Sequence, residues 1–336
     1  MINILITSGG GIWIPKLTKL IHKDFNIFLT DVRKVQKPKF VKKVFKINFP
    51  KSKNYIKDIS SICNNYHIDL VLPSSDEEAI LFSKKKKSFQ KKMNAKLLVS
   101  DYSIMKNFES KDKIYKILSK EKINTFQWKL AKNKKQLNDI IQIFENRDFV
   151  IKPAKSRGGR NTFIIKKNIK RMYSKNNGRE KFLPHDEIKI NYLINKTKLN
   201  FPLIVMDCLY GPIYDIDILA YRGKLLQFAT RERIGFQGIR GNIIKKFNDK
   251  YLKISKKTTK ILKLSWLYDF DIMHDTKGLP QILEINPRQS GSIFNSLRSN
   301  FPFYKSIVSL MYNTNVPMMF KLNKDKKYLN QLNEKN

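Results

Sequence analysis

Asp269 and Asp271, and then Glu284 and Asn286, stand as two pairs of oxygen-bearing residues with a spacing of two, on either side of Thr276-Lys277-Gly278-Leu279. If those four residues are the loop of a hairpin over 267–286 that closes Asp275 on Pro280, Asp271 falls opposite Glu284 and Asp269 opposite Asn286. The two-residue period of a strand then puts all four on one face. The other face carries Phe270, Ile272, Leu283 and Ile285, an apolar set suited to a core, which supports the register. Three adjacent carboxylates repel one another, and a hard divalent cation is the simplest means of holding them together. Oxygen donors without His or Cys favour Mg²⁺, or Mn²⁺ in its place, over zinc, and Mg²⁺ held by few protein groups usually shares its shell with phosphates. The competing reading is a solvated strand face with stray acids. In a chain with only 28 acidic residues among 336 the clustering favours the metal.

A second segment points to phosphate. Phe149-Val150-Ile151-Lys152 reads as a strand, followed by Pro153-Ala154-Lys155-Ser156-Arg157-Gly158-Gly159-Arg160-Asn161 and a second strand, Thr162 to Ile165. The spacing is not that of a P-loop and no helix follows, so a helix N-terminus cannot hold the phosphate here. A glycine hairpin can still fold over a nucleotide and offer backbone N–H groups, and Lys152 could reach its phosphates as a point charge. On its own Lys152 would be read as one surface lysine among many. Thr230 to Gly241 adds Arg231, Arg233 and Arg240 in a glycine-rich stretch, of which Arg231 and Arg240 are expected beside an acceptor, against a reading as surface arginines on a loop. The four histidines fall in no ligand pattern, and Cys208 reads as packing.

The elements that must position these residues are legible as periodicities. Residues 1 to about 100 alternate strand and helix: Ile2 to Ile6 ends in Ser8-Gly9-Gly10-Gly11, Pro15 to His22 is a helix, Phe25 to Leu29 a strand ending at Thr30-Asp31, and Ile68 to Leu72 a strand ending in Pro73-Ser74-Ser75-Asp76-Glu77-Glu78. An open parallel sheet would gather the glycines, Asp31 and Asp76 at its carboxyl edge, where such sheets bind ligands. Lys84 to Lys87 is the wet face of the next helix. Ser110 caps a helix with Ile114, Ile117 and Leu118, and Leu137, Ile140, Ile141 and Phe144 mark another. Residues 166–200 are polar and Lys/Asn-rich, with no clear element. Strands are expected at Leu203–Leu209, Asp215–Tyr221 and Lys224–Ala229, a helix over Asp249–Leu264, and a frayed tail from Lys321.

Composition bounds the rest. Lys and Arg number 67 against 28 acids, a formal charge of +39, while 41% hydrophobic and 12% aromatic residues exclude whole-chain disorder. Two distant cysteines exclude a disulfide scaffold and a zinc ribbon and fit a reducing, cytoplasmic home. No stretch is long and apolar enough to span a membrane. The charge alone does not make the chain a nucleic-acid binder, because Lys, Ile and Asn rise together, and no nucleic-acid module is present.

In order, Lys113 in Ser-Lys-Asp-Lys, Lys152 before the glycine loop, Val205 to Asp217, and Glu284-Ile285-Asn286-Pro287-Arg288 resemble the ATP-grasp superfamily, nearest its carbamoyl-phosphate-synthase-like and carboxylate–amine ligase branches. The resemblance spans roughly 1–318. It implies a mixed α/β and α+β fold: a Rossmann-like pre-ATP-grasp domain (1–100) before a two-lobed ATP-grasp fold, with a small lobe and glycine lid (101–200), a catalytic lobe with the Mg²⁺ site (201–320) and a flexible tail (321–336). It also implies roles. Lys113 and Lys152 contact ATP phosphates, Ser156, Arg157, Gly158, Gly159 and Arg160 form the lid, and Asp207, Cys208 and Leu209 read adenine. Asp271, Glu284 and Asn286 hold Mg²⁺, and Arg288 lies beside the transferred phosphate. Asp207 stands where the family has Glu, and Ile213 where a carboxylate meets the ribose, so Asp215 or Asp217 is expected to substitute. The implied activity joins a carboxylate to an amine through an acyl phosphate and releases ADP, with Asp76, Glu77 and the first glycines lining an acceptor pocket. The alternatives are a phosphotransferase that stops at the acyl phosphate and a non-catalytic polyanion-binding protein. Small carboxylate and amine substrates are the expected partners, and a homodimer is compatible with them.

Overall fold

The computed structural model describes residues 1–156, 158–175, 178–186, 190, 199–235 and 240–329. They form two compact units. The first comprises 1–108, 213–272 and 283–336, and the second 109–212 and 273–282.

The first unit begins with five strands: β1 (Ile2–Ile6), β2 (Phe25–Asp31), β3 (Lys43–Lys46), β4 (Leu70–Leu72) and β5 (Lys96–Leu97). They pair in parallel in the order β3-β2-β1-β4-β5, joined by α1 (Ile14–Ile21), α2 (Tyr55–Asn65), α3 (Asp76–Gln90) and the short α4 (Tyr102–Met105). The near-continuous burial of β1, β2 and β4 is that of strands covered on both faces. The carboxyl edge is fastened by one buried acid. Glu78 accepts hydrogen bonds from the hydroxyls of Thr7, Ser8 and Ser75 at 2.8 Å each and from Tyr55 at 2.7 Å, while Ser75 caps α3 by accepting from the Glu78 N–H. The first glycines serve close packing: a Cβ on Gly10 would come within 2.7 Å of both Asp31 Oδ2 and the Arg33 guanidinium, and one on Gly9 within 2.8 Å of Leu29 Cβ.

In the second unit, α5 (Lys111–Lys120) and α6 (Lys134–Ile143) accompany a sheet of β6 (Trp128–Ala131), β7 (Phe149–Pro153), β8 (Thr162–Lys166), β9 (Tyr173–Lys175), β10 (Glu180–Pro184) and β11 (Leu203–Asp207). The order is β6-β11-β7-β8-β10-β9, with only β8 and β10 parallel. Leu137, Phe144, Phe149, Ile151, Phe163 and Leu203 are among its core. Strands β9 and β10 lie in the stretch without a clear sequence signal.

A third sheet has the order β16-β15-β12-β13-β14-β17, from β12 (Tyr210–Tyr221), β13 (Lys224–Ile234), β14 (Gly241–Ile244), β15 (Trp266–His274), β16 (Pro280–Asn286) and β17 (Lys326–Leu329). Helix α7 (Asp249–Ile261) lies against β13, and α8 (Phe294–Arg298) and α9 (Phe303–Tyr312) follow β16. One face of this sheet changes character along its strands. Leu219, Ala229, Ile244 and Leu267 join the core that also holds Ile4, Ile6, Leu17 and Phe294. Two and four residues further along the same strand faces stand Asp217 and Asp215, Arg231 and Arg233, Asp269 and Asp271. Part of the segment expected to be a flexible tail is ordered: Lys326–Leu329 pairs antiparallel with β14. The tip of the β15–β16 hairpin, 273–282, clusters with the second unit, where the buried Asn124 amide mimics a neighbouring strand for Ile282, donating to its carbonyl at 2.8 Å and accepting from its N–H at 2.9 Å. Among the described residues no helix is long and apolar enough to cross a membrane.

Candidate active site

The antiparallel pairing of β12 with β13 sets Asp215 beside Arg231 and Asp217 beside Ala229. Arg231 is fully buried. Its Nε and Nη2 donate to the two oxygens of Asp217 at 2.7 and 2.8 Å, Nη1 to Asp215 at 3.1 Å and Ser292 at 2.6 Å, and Nη2 also to Ser290 at 2.8 Å. All five guanidinium N–H groups are thereby used. Asp217 is also fully buried and accepts a further bond from Ser296 at 2.6 Å. This corrects two expectations. Arg231 is no loop arginine with donors to spare for an acceptor, and Asp217 is closed off from a ribose, as is the 2% exposed Asp215. Arg240 is exposed on the turn after β13, where its amide donates to the Ile234 carbonyl, and residues 236–239 beside it lie outside the described ones.

Next to this pair lies an acidic cluster that shares Asp271 with the metal set expected from the sequence, Asp271, Glu284 and Asn286. Ligand atoms of Asp215, Asp269 and Asp271 all fall within 4.8 Å of one another. Asn286 donates to Asp269 Oδ2 at 3.3 Å, as the hairpin register requires, and Glu284 raises the Asp271 pKa electrostatically. The structure therefore brings Asp269, Asp271, Glu284 and Asn286 to one hairpin face, as the register places them, and adds Asp215 to them. Arg233, on the same face of β13 as Arg231, donates to Asp215 and stands 2.8 Å from Asp271 Oδ1. Burial, with Asp215 and Asp271 alongside, pushes the Asp269 carboxyl well above the usual carboxylate range. Burial pushes Asp271 up to about 6, against the pull of Arg233 and with Asp215 and Glu284 adding to the rise. Asp215 goes the other way, because Arg233 and Arg231 outweigh its burial. Asp269 Oδ1 and Asp271 Oδ1 are both buried without a well-aligned hydrogen bond. An all-oxygen, under-neutralised set of this kind fits a hard divalent cation.

Arg288 follows β16. Its Nη1 donates to Asp269 Oδ2 at 3.1 Å and to the Gln289 carbonyl at 3.0 Å, and its Nε lies 3.3 Å from Asp76 Oδ1. Burial alone would weaken its charge, but Asp76 and Asp269 more than offset that.

The second unit arranges the expected nucleotide residues by themselves. Lys152 is buried on β7 and donates to the Tyr115 hydroxyl at 2.9 Å, its ammonium 5.3 Å from the ring centre. Gly158 and Gly159 have φ of +57° and +70°, the left-handed region that glycine enters without strain. Ser156 donates to the Pro153 carbonyl, and its own carbonyl accepts from Lys111 Nζ. Arg157 lies outside the described residues. Lys113 is not brought to this turn. It pairs at 3.2 Å with Glu109, one helical turn back, on an exposed face. Asp207 accepts from the Gln127 N–H at 2.7 Å and Arg147 at 3.0 Å, and the amides of Asp207 and Cys208 donate to the carbonyls of Gln127 and Asp148. Cys208 and Leu209 are buried, and burial pushes the Cys208 thiol up to about 11.

Sequence reasoning placed Asp269 on the acidic hairpin face without naming it a ligand, and it did not assign Arg233, Tyr115 or Lys111 to the site. The signals were present for two of them: a strand period carried on through Arg233, and a helix phase separating Lys111 from Lys113.

Two family models match. Residues 200–331 match the model described as "ATP-grasp in the biosynthetic pathway with Ter operon", and residues 4–98 match "PylC-like, N-terminal domain". No curated protein matches the sequence. Among solved structures, the fold is shared with N5-carboxyaminoimidazole synthetase from Staphylococcus aureus complexed with ADP (12% identity, 98% of this chain and 82% of that one, TM-score 0.69). It is shared with biotin carboxylase from Campylobacter jejuni in a β,γ-ATP complex (12%, 96% and 74%, TM-score 0.70) and with L-amino acid ligase from Bacillus licheniformis (12%, 93% and 74%, TM-score 0.66). The chain thus carries a PylC-like N-terminal domain over 4–98 and an ATP-grasp segment over 200–331, in a fold shared with these solved structures along nearly its whole length.

Proposed function

We propose that the chain is an ATP- and Mg²⁺-dependent ligase that joins a carboxylate to an amine, passing through an acyl phosphate and releasing ADP. The observation that carries the reading is the charge balance on the β12–β13–β15–β16 face. Asp215, Asp217, Asp269, Asp271 and Glu284, with Asp76 reaching Arg288 from the start of α3, gather about Arg231, Arg233 and Arg288, so the carboxylates outnumber the guanidinium groups. A divalent cation would offset most of that excess. Asp271, Glu284 and Asn286 would hold it, with Asp269 beside them. When bound it would neutralise charge on the phosphate oxygens of ATP.

The chain's own groups then have distinct work. Arg288 is aimed by two carboxylates and suits the phosphoryl group in transfer. Lys152 and the Ser156–Gly159 turn suit the other phosphates, and Lys111 is better disposed to join them than Lys113. The substrate carboxylate attacks the γ-phosphorus, the bond to the β-phosphate oxygen breaks and ADP leaves. The amine then attacks the acyl carbon, phosphate departs with the bonding pair, and the ammonium proton passes to solvent or a nearby base. No protein nucleophile is needed. Because the Asp207 and Cys208 amides are already donated, adenine recognition falls to Leu209 and to backbone carbonyls of this stretch.

An ADP-release screen over amino acids, uronic acids and small dicarboxylates, with and without amines, tests the reading, with hydroxylamine present to trap an acyl phosphate. A hydroxamate that needs ATP, Mg²⁺ and one carboxylate supports it. Hydroxamate without amine-dependent product favours the phosphotransferase, and no ADP release with any acid overturns both.

A further inference from the structure

The PylC-like domain reaches the proposed site through one loop, Ser74–Asp76, at the carboxyl end of β4. Two contacts fix that loop to the residues after β16, and a third braces one of them. Asp76 Oδ1 lies 3.3 Å from Arg288 Nε, Gln289 donates to the Ser74 hydroxyl at 3.1 Å, and the Tyr304 hydroxyl holds Gln289 from behind at 2.6 Å. The loop is itself immobilised, since Ser75 is bound at both backbone and hydroxyl level to Glu78, whose carboxylate gathers three more hydroxyls. Asp76 is the first residue of α3, where an acid is favourable for the helix on its own account. The helix does not explain its direction, because its oxygen is turned away from solvent and toward the Arg288 head group.

We propose that Asp76 is a positioning residue for the ligase reaction, one that aims Arg288 from the N-terminal domain. The inference rests on the ligase reading. Arg288 Nε lies 3.3 Å from Asp76 Oδ1 as an ion pair and its Nη1 donates to Asp269 Oδ2 at 3.1 Å, so carboxylates from the start of α3 and from β15 flank the guanidinium at two corners. A planar fork held at two corners cannot rotate about its own axis, and such pre-orientation favours the transition state over the ground state. Removing Asp76 leaves the cation in place and slightly less neutralised. Ground-state binding of an anionic nucleotide is therefore retained while the aim is lost. A purely structural role would instead weaken binding and turnover together.

The test uses the full chain with Asp76→Asn, Asp76→Glu and Arg288→Ala, measuring steady-state ADP release with the substrates found in the screen and Mg-ADP binding by calorimetry. The expected result is about a tenfold fall in kcat for Asp76→Asn, with KM for ATP and the Kd for Mg-ADP within about twofold of the parent, and substantial recovery in Asp76→Glu. Wild-type turnover in Asp76→Asn beside an inactive Arg288→Ala overturns the positioning role and leaves the ligase reading standing. Loss of Mg-ADP binding in Asp76→Asn also overturns it, by showing a structural role. A parent protein that releases no ADP overturns the ligase reading, and this inference with it.

Discussion

The two units hold cations in opposite ways. In the first, Arg231 has every donor satisfied and no exposed surface, and it sits among carboxylates whose own acceptors are largely filled by it and its neighbours. In the second, Lys152 donates to the Tyr115 hydroxyl, and the turn after it is shaped by left-handed glycines and backbone carbonyls. The first arrangement is a fixed field, built at the cost of desolvating several charges, that remains in place before any ligand arrives. The second is a set of donors that, on the ligase reading, would meet the phosphates of ATP.

The contrast can be broken by removing one member of each. Arg231→Ala should cost about 3–5 kcal/mol of stability, because it leaves Asp217 and Asp215 buried without their counter-charge, and urea unfolding measures it. A loss below about 1 kcal/mol would show that the first unit's network is not a fixed one. Glu284→Ala and Lys152→Ala should each lower ADP release about 100-fold or more with the circular dichroism spectrum unchanged. Retained turnover in either would remove that residue from the site. Lys111→Ala should raise KM for ATP about tenfold and Lys113→Ala should change it less than about twofold, and a reversed order would restore the sequence-based assignment.

The smallest effect is in pH. Asp271, with a folded-state pKa pushed up to about 6, prefers its neutral form in the fold. Its share of stability is present below the ordinary carboxylate pKa and is lost as pH rises through about 6. The melting temperature should therefore fall by about 2 °C between pH 5 and pH 7 without metal, and Mg²⁺ should reverse the fall more at pH 7 than at pH 5, where a proton competes for the same oxygen. A Mg²⁺ effect that does not grow with pH would argue against Asp271 as a ligand.

The hairpin was readable because a period of two, a Gly-containing loop and an apolar reverse face all constrain one register. The parallel sheet was readable for a similar reason, with apolar runs ending in glycine or acid at ligand-binding edges. The Lys111–Lys113 choice was not. Two residues along a helix turn the side chain through about 200°, so neighbouring motif lysines point to opposite sides, and only the helix phase decides between them. Arg231 was misplaced because the glycines after Ile234 suggested a loop, while the strand runs on through Arg231 to Ile234. Strands β9 and β10 escaped notice because β9 is three exposed residues and β10, Glu-Lys-Phe-Leu-Pro, carries no alternation, and β17, with the sequence Lys-Lys-Tyr-Leu, pairs with β14 through its backbone.

Asn124 bears on the behaviour of many copies at once. Strand β16 borders its sheet, and an open border offers its peptide groups to any extended chain that drifts past. By occupying both peptide groups of Ile282 with an amide of its own, the protein stops the sheet from growing at that point. A single buried side chain thus helps keep a lysine-rich protein from recruiting its own kind strand by strand.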